Sequence, residues 1–177
     1  MAAPTDIFDL GRLRLSSGEG RRLTLGVRLG DFDFGGERYA VEPPLVDATL
    51  DISRMTAGGY ALRLRFDAGL TGPCMRCLEA AAPVTAVDVR EVHQPGGGEE
   101  LTSPYVDGEE LDLGAWAHDA YALALPAQVV CTPDCAGLCP ECGVDRNEVD
   151  CGHRPDSGDP RWAALEDLRD RFDPPIN

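Results

Sequence analysis

Residues Cys131–His153 read CTPDCAGLCPECGVDRNEVDCGH. The stretch contains five cysteines and one histidine, spaced C-x3-C-x3-C-x2-C-x8-C-x-H, with glycine and proline between many of them. A segment of this composition cannot build a hydrophobic core of its own. Thiolates and neutral imidazoles bind zinc strongly, and four of them in a tetrahedral shell can fix loops that burial cannot. The stretch therefore predicts a zinc-binding lobe over residues 131–153.

Two close pairs in this lobe provide one set of four ligands. In CPECG, Cys139 and Cys142 flank a two-residue turn, and Gly143 supplies the permissive backbone that lets the chain fold back. This pattern is typical of one half of a zinc knuckle. The close pair Cys151 and His153 fits the place of the other half.

The two remaining cysteines of the lobe need partners elsewhere, and PCMRCL contains the only other close cysteine pair in the chain. The seven cysteines and the histidine make eight ligands, which is two complete tetrahedral shells. We predict two structural zinc ions, one held by Cys74, Cys77, Cys131 and Cys135 and the other by Cys139, Cys142, Cys151 and His153. An alternative with one zinc, held by Cys131, Cys135, Cys139 and Cys142, stays open.

Length and composition favour a single domain over residues 1–177, because 177 residues with 43% hydrophobic content can bury a modest core. No apolar run approaches membrane-spanning length, and the start MAAPTDIFDLGRLRL lacks the basic and apolar regions of a secretory signal. We therefore expect a cytoplasmic protein that does not enter a membrane. In that reducing compartment cysteine pairs more often bind metal or catalyse than form disulfides, and an odd number of cysteines argues the same way.

Residues 1–93 predict mainly β structure. RRLTLGVRL alternates apolar and polar side chains, and residues 46–52 and 60–66 repeat the alternation on either side of the turn-like SRMTAGG. These two segments predict a hairpin, and PVTAVDVREV predicts a fourth strand. Cys74 and Cys77 then lie on the connection between two antiparallel strands.

The second half of the chain predicts helices around the zinc-binding lobe. Residues 94–111 are acidic and lack periodicity, which indicates a mobile loop. We expect residues 112–126 to form a helix with Asp112 as N-cap, and residues 159–172 to form a C-terminal helix. The predicted fold class is α+β, an antiparallel β-sheet followed by one or two helices and a cysteine-rich zinc-knuckle lobe.

The charge is strongly acidic, with a formal net charge of −15 at pH 7. All sixteen basic residues are arginine, and residues 91–145 contain eleven acidic residues and no arginine. Such a surface attracts a basic partner and repels a phosphate backbone, although acidity also simply keeps a protein soluble. Two pairs of strand arginines could still form a local basic strip that contacts RNA: Arg22 and Arg28, and Arg63 and Arg65.

Three of these features together are similar to a known family. CMRCL after a β-hairpin, the helix LGAWAHDAYALALP, and the cysteine-rich stretch followed by DPRWAALEDL resemble the bacterial YceD family of large-subunit ribosomal RNA accumulation proteins. The resemblance covers most of the chain, and the cysteine-rich third is its specific part. It implies a role in accumulation or assembly of large-subunit ribosomal RNA, with that RNA or a basic large-subunit ribosomal protein as partner.

Enzymatic function is disfavoured. Thiolates fill the positions that a catalytic zinc would keep open for water or substrate. A redox C-x-x-C pair works at a helix N-terminus, whereas PCMRCLEAAAPV offers no helix of sufficient length. His93 and His118 lack ligand-spaced neighbours, no nucleotide-binding loop is present, and we infer no small-molecule substrate. The alternative to a ribosomal role is a zinc-stabilised protein-interaction module.

Overall fold

The computed structural model describes residues 4–56 and 58–153. The chain divides into two compact units, residues 1–135 and 136–177, which we describe one at a time. The single domain predicted over residues 1–177 stays a prediction, and the predicted helix 159–172 lies outside the described residues. Antiparallel sheets, the one α-helix among the described residues and a cysteine-rich C-terminal region confirm the predicted α+β class.

The larger unit is built from antiparallel strands. Among the described residues these are β1 (Ile7–Asp9), β2 (Gly20–Arg28), β3 (Phe32–Phe34), β4 (Glu37–Glu42), β5 (Leu45–Arg54), β6 (Tyr60–Pro73), β7 (Ala80–Ala81), β8 (Val84–His93), β9 (Val106–Asp107) and β10 (Glu110–Asp112). The main sheet has the order β2-β5-β6-β4-β3, and β7 and β8 also pair with β6. A smaller sheet has the order β1-β10-β9.

Strand β6 organises the main sheet because its fourteen residues pair along both edges. Its first part lies between β5 and β8, and its last part lies between β4 and β7. Alternate side chains of β5 and β6 are buried and form the core, which is the pattern that the sequence predicts. The hairpin of β5 and β6 is confirmed.

Helix α1 (Leu113–Ala124) packs its apolar face on this core. The Asp112 side chain accepts a hydrogen bond from the Ala115 N–H at 2.9 Å, which is the N-cap role expected from the sequence. Tyr121 is fully buried, and its hydroxyl donates to the Ala68 carbonyl oxygen at 3.2 Å. Its ring lies against Phe66, with centroids 6.3 Å apart. The helix thereby covers the sheet and carries the chain toward Cys131.

Residues 94–111 contain more secondary structure than the sequence indicates. They include a 3₁₀ turn at Glu99–Leu101, strand β9 and the start of β10. Strand β10 pairs with β1, an N-terminal segment more than a hundred positions away, and such a distant partner leaves no local periodicity to detect. Mobility of this segment stays a prediction.

The described part of the smaller unit is an irregular, hydrogen-bonded loop. Its only ladder contact among those residues is a bridge between Leu138 and Asp145. The Asp145 carboxylate accepts from the backbone N–H of Asn147 at 2.8 Å, and the Asn147 side-chain oxygen accepts from the Ala136 N–H at 2.8 Å. Side chains therefore supply much of the order here. In the part of the chain that the structure describes, no helix has the length and apolar character needed to span a membrane.

Candidate metal centres

The first C-x-x-C turn is the tip of a hairpin. Strand β6 ends at Pro73, and β7 returns beside it with Ala80 opposite Pro73. The Cys74 N–H donates to the Glu79 carbonyl oxygen at 2.7 Å, and the Leu78 N–H donates to the Cys74 carbonyl oxygen at 3.0 Å. The sheet therefore positions both cysteines of the turn, as expected from their place between two strands.

The second pair reaches this tip from the segment after α1. Met75 and Val129 exchange two contacts: the Met75 N–H donates to the Val129 carbonyl oxygen at 2.8 Å, and the Val129 N–H lies 3.3 Å from the Met75 sulfur. Val129 is buried, so this pairing fixes the arm two residues before Cys131. The sequence gives no sign of this contact between Met75 and Val129, although Met75 stands between two cysteines.

The four sulfurs of Cys74, Cys77, Cys131 and Cys135, here called the four-cysteine cluster, all lie within 4.8 Å of one another. The sulfur of Cys74 is 3.8 Å from that of Cys135, and the sulfur of Cys77 is 3.6 Å from that of Cys131. A tetrahedron with Zn–S bonds of about 2.3 Å has sulfur–sulfur edges of about 3.8 Å. A disulfide would need about 2.05 Å. The spacing therefore fits ligands of a common metal ion.

Arg76, in the middle of the turn, forms hydrogen bonds with residues on both sides of Cys131. Its guanidinium donates to the Gln128 side-chain oxygen at 3.0 Å and to the Cys135 carbonyl oxygen at 3.1 Å. These bonds tie the hairpin tip to the arm on either side of Cys131. Sequence reasoning missed Arg76 and Gln128, because two polar residues more than fifty positions apart leave no spacing signal.

The thiols of this cluster differ in acidity. Burial raises the pKa of Cys74, but the N–H groups of Cys77, Arg76 and Cys131 outweigh it and lower that pKa to about 6. The Glu79 N–H lowers the pKa of Cys77, whereas burial and the neighbouring sulfurs raise it more strongly, to about 12. Burial and the neighbouring sulfurs of Cys135 and Cys74 also raise the pKa of Cys131, because like charges at this spacing repel.

A second group, here called the mixed cluster, consists of Cys139, Cys142, Cys151 and His153. Its ligand atoms, three sulfurs and one ring nitrogen of the histidine, also lie within 4.8 Å of one another. The Cys139 sulfur is 3.7 Å from the His153 Nδ1. The N–H of Cys142 is the main cause that lowers the pKa of Cys139 to about 6. The Gly143 N–H donates to the Cys139 carbonyl oxygen at 2.8 Å, in the same way as Leu78 in the first turn. The two C-x-x-C turns therefore share one local geometry.

The structure thus brings all eight predicted ligand residues into the two groups of four that we preferred from the sequence. Either group could hold a metal ion. Four sulfurs, or three sulfurs and an imidazole, are donors that suit zinc and iron better than magnesium or calcium. Four such ligands are the number that a tetrahedral shell around one ion requires.

Three of the four arginines of the predicted basic strip pair with carboxylates of the sheet. Arg22 and Arg65 both bond to Asp51, at 2.5 and 2.8 Å, and Arg63 bonds to Asp88 at 2.7 Å. The Arg22 hydrogen bond is the main cause that lowers the pKa of Asp51. These three arginines therefore have carboxylate partners within the sheet, and the Arg28 guanidinium lies 3.7 Å from the Asp6 carboxylate.

The fold and the two clusters define an α+β protein with two closed four-ligand sites that could bind metal. Residues 62–169 match the family of the large ribosomal RNA subunit accumulation protein YceD, and the chain belongs to this family. The match includes both clusters and confirms the resemblance.

Proteins of Mycobacterium tuberculosis and Mycobacterium bovis, both described as uncharacterised, are similar to the chain along most of its length. Each is 32% identical over 179 positions, which cover 95% of this chain and 83% of the relative. A Mycobacterium leprae protein, also described as uncharacterised, is 35% identical over 102 positions, which cover 54% of this chain and 46% of the relative. No solved structure matches the chain.

Proposed function

We propose that the protein is a cytoplasmic, non-enzymatic factor that supports accumulation or assembly of large-subunit ribosomal RNA. The observation that carries this proposal is the family match over residues 62–169, which includes both metal clusters and the helix between the cysteine pairs. The two clusters are the scaffold that holds the matched region together, and they perform no reaction.

In this proposal each cluster holds one structural zinc ion. The sulfur–sulfur distances of 3.6 and 3.8 Å support zinc, because they are close to the edges of a tetrahedral Zn–S shell. The raised pKa values of Cys77 and Cys131 support a bound cation, because these two thiolates form less readily without one. A divalent cation stabilises all four thiolates together, which no protein group in the cluster does.

We assign the ribosomal contact to a basic large-subunit protein rather than to RNA. Three of the four arginines of the predicted basic strip, Arg22, Arg63 and Arg65, are bonded to Asp51 and Asp88, whereas residues 91–145 contain eleven acidic residues and no arginine. A polyanion is repelled by such a surface, and a basic protein is attracted by it.

The test is purification of the tagged protein from growing cells, with and without ribonuclease, followed by identification of bound protein and RNA. We expect a basic large-subunit protein in both samples and ribosomal RNA only in the untreated one. Deletion of the gene should lower the amount of large-subunit ribosomal RNA, and the parent gene should restore it. Unrelated bound proteins with no ribosomal component would instead support a zinc-stabilised interaction module outside the ribosome.

Charge neutralisation separates the two kinds of partner. Replacing Glu99, Glu100, Glu109 and Glu110 together with glutamine should slow association of a basic protein by about ten-fold at low salt. RNA binding should stay the same or strengthen, because repulsion is removed. If the basic protein associates equally fast with parent and variant, the acidic segment serves only solubility.

A further inference from the structure

Leu78 combines two unfavourable features at the tip of the first C-x-x-C turn. Its φ angle is +67°, in the left-handed region that residues other than glycine rarely adopt, and the residue is 67% exposed. The equivalent residue of the second turn is Gly143, with φ +73°. The turn geometry is therefore satisfied by glycine, and it does not explain a leucine at this position. A strained and exposed apolar residue is a reason to look for a function.

Leu78 borders an apolar groove beside the four-cysteine cluster. We call it the knuckle groove; it is lined by Phe34, Gly35, Glu37, Tyr39, Pro73, Cys74, Met75 and Leu78. Its volume is about 310 Å³, which is near the lower end of the range of about 300–1,000 Å³ for ligand pockets. Met75 is also exposed, at 39%. The groove therefore has room for an apolar side chain, and two exposed apolar residues stand at its edge.

The walls of this groove are fixed before anything binds. The Tyr39 hydroxyl donates to the Pro73 carbonyl oxygen at 2.9 Å, and the Tyr39 ring lies so close to Gly72 that a β-carbon there would meet it at 2.3 Å. On the other side, Met75 is held by its backbone and its sulfur to Val129. A pre-formed groove binds a partner without the entropic cost of ordering its own side chains.

The charge around the groove favours a cationic partner. Glu37 lines it, whereas Arg76, which keeps its positive charge, is held by Gln128 and the Cys135 carbonyl oxygen and is not among the lining residues. Cys74 lines it as well. Four thiolates around one divalent ion would keep a net charge of about −2, so a metal-loaded cluster would add negative charge beside the apolar surface.

We propose that the knuckle groove binds a short segment of a partner protein in which one large apolar side chain is flanked by lysine or arginine. The apolar side chain lies against Met75 and Leu78, and the flanking cations face Glu37 and the thiolate cluster. This inference rests on the proposed function for the metal in the cluster and names the surface that a basic partner would occupy.

The probe is an N-acetylated, C-amidated peptide with the sequence Arg-Lys-Phe-Arg-Lys, titrated into the zinc-loaded full chain and followed by amide chemical shifts. One control peptide has serine in place of phenylalanine, and the other has glutamate in place of every basic residue. We expect shifts at residues 34–39 and 72–79, with weaker binding by both controls. Absence of binding, equal binding of the serine peptide, or shifts confined to other residues would overturn the proposal. The same is true if single-stranded RNA, and not the peptide, shifts these amides.

Leu78→Gly is the decisive variant because glycine suits the left-handed conformation and should leave the fold and the metal content intact. It should weaken binding of the phenylalanine peptide by about ten-fold, which is the loss expected for one buried leucine contact. Leu123→Ala is the matched control, since Leu123 is 87% exposed on α1 and away from the groove. A folded Leu78→Gly protein that binds the peptide as tightly as its parent would contradict the proposal.

Complementation of a deletion strain distinguishes failure of this inference from failure of the proposed function. In a deletion strain, Leu78→Gly should carry two metal ions and yet fail to restore large-subunit ribosomal RNA. If Leu78→Gly restores that RNA fully whereas Cys77→Ser does not, the groove has no role and the proposed function stands. If the deletion itself leaves the RNA unchanged, the proposed function fails, and the peptide titration still decides what the groove binds.

Discussion

The two clusters use similar ligands in different ways. The four-cysteine cluster joins residues 61 positions apart, from the tip of a hairpin to the arm after α1, whereas the mixed cluster closes a loop of 14 positions. Loop-closure entropy separates these cases by only about 1 kcal/mol, since it grows with the logarithm of loop length. The length of the loops is therefore not the main difference.

Burial and context separate the clusters more strongly. Cys74 and Cys135 have exposures of 0% and 3%, in a unit that also has a sheet and a helix. In the mixed cluster Cys142 and His153 are exposed, and hydrogen bonds around Asp145 and Asn147 provide most of the other order. The first metal would cross-link elements that have their own core, and the second would organise a segment that has little other means of folding.

The largest effect should come from Cys77→Ser. Loss of this ligand should remove one metal ion and destabilise the larger unit by several kcal/mol. That is less than the roughly 10 kcal/mol or more of a structural site in a peptide, because the sheet keeps its own core. Elemental analysis and thermal unfolding monitored by the sheet signal measure both quantities.

Cys142→Ser is the matched change in the mixed cluster. It should also remove one metal ion, but it should leave unfolding of the sheet nearly unchanged and increase amide exchange within residues 136–153. Equal destabilisation of the sheet by both variants would contradict the assignment of separate roles to the two clusters.

The grouping of the eight residues was accessible from the sequence, because close pairs are encoded locally and eight is the number of ligands that two tetrahedral shells need. The turns CMRC and CPEC can be recognised from their C-x-x-C spacing alone. Alternation of apolar residues likewise predicted the strands of the core, including the hairpin of β5 and β6, because a strand with one buried face repeats every second residue.

Contacts between residues distant in the sequence were not accessible. The pairing of β1 with β10 and the bond from Arg76 to Gln128 have no signature in local spacing. The arginines of the sheet show the same limit, because alternation placed Arg22 on a polar face without revealing that Asp51 is its partner. Electrostatic pairing depends on register, and register is set by the assembled sheet.

Metal release should occur in two phases. A chromogenic chelator should take the ion of the mixed cluster first, because Cys142 and His153 are exposed, and that of the buried four-cysteine cluster at least about ten-fold more slowly. Stopped-flow absorbance gives both rates, and Cys142→Ser should remove the fast phase. Release in a single phase would mean that the difference in burial does not control access to the metals.

Substitution of His153 tests the chemical difference between the clusters, which is one nitrogen ligand in place of a sulfur, and should have a smaller effect. X-ray absorption of the parent should show mainly sulfur at about 2.3 Å and a minor nitrogen component at about 2.0–2.1 Å. His153→Cys should keep two metal ions and remove the nitrogen component, whereas His153→Ala should loosen one ion. A nitrogen component that persists in His153→Cys would remove His153 from the shell.

The smallest effects are expected where the two C-x-x-C turns differ by one residue. Gly143 has φ +73° and open space around it, so Gly143→Ala adds only backbone strain, about 1 kcal/mol, and should weaken metal binding by the mixed cluster about five-fold. Leu78→Gly relieves a similar backbone strain in the folded protein. Glycine also raises the conformational entropy of the unfolded chain, which costs about 0.5–1 kcal/mol of stability, so the free energy of unfolding should hardly change. Competition with a chelator and thermal unfolding measure both variants. The comparison is between two free-energy losses: that of unfolding in Leu78→Gly and that of metal binding in Gly143→Ala. If the first loss is larger, the leucine stabilises the fold, and its exposure needs no partner to explain it.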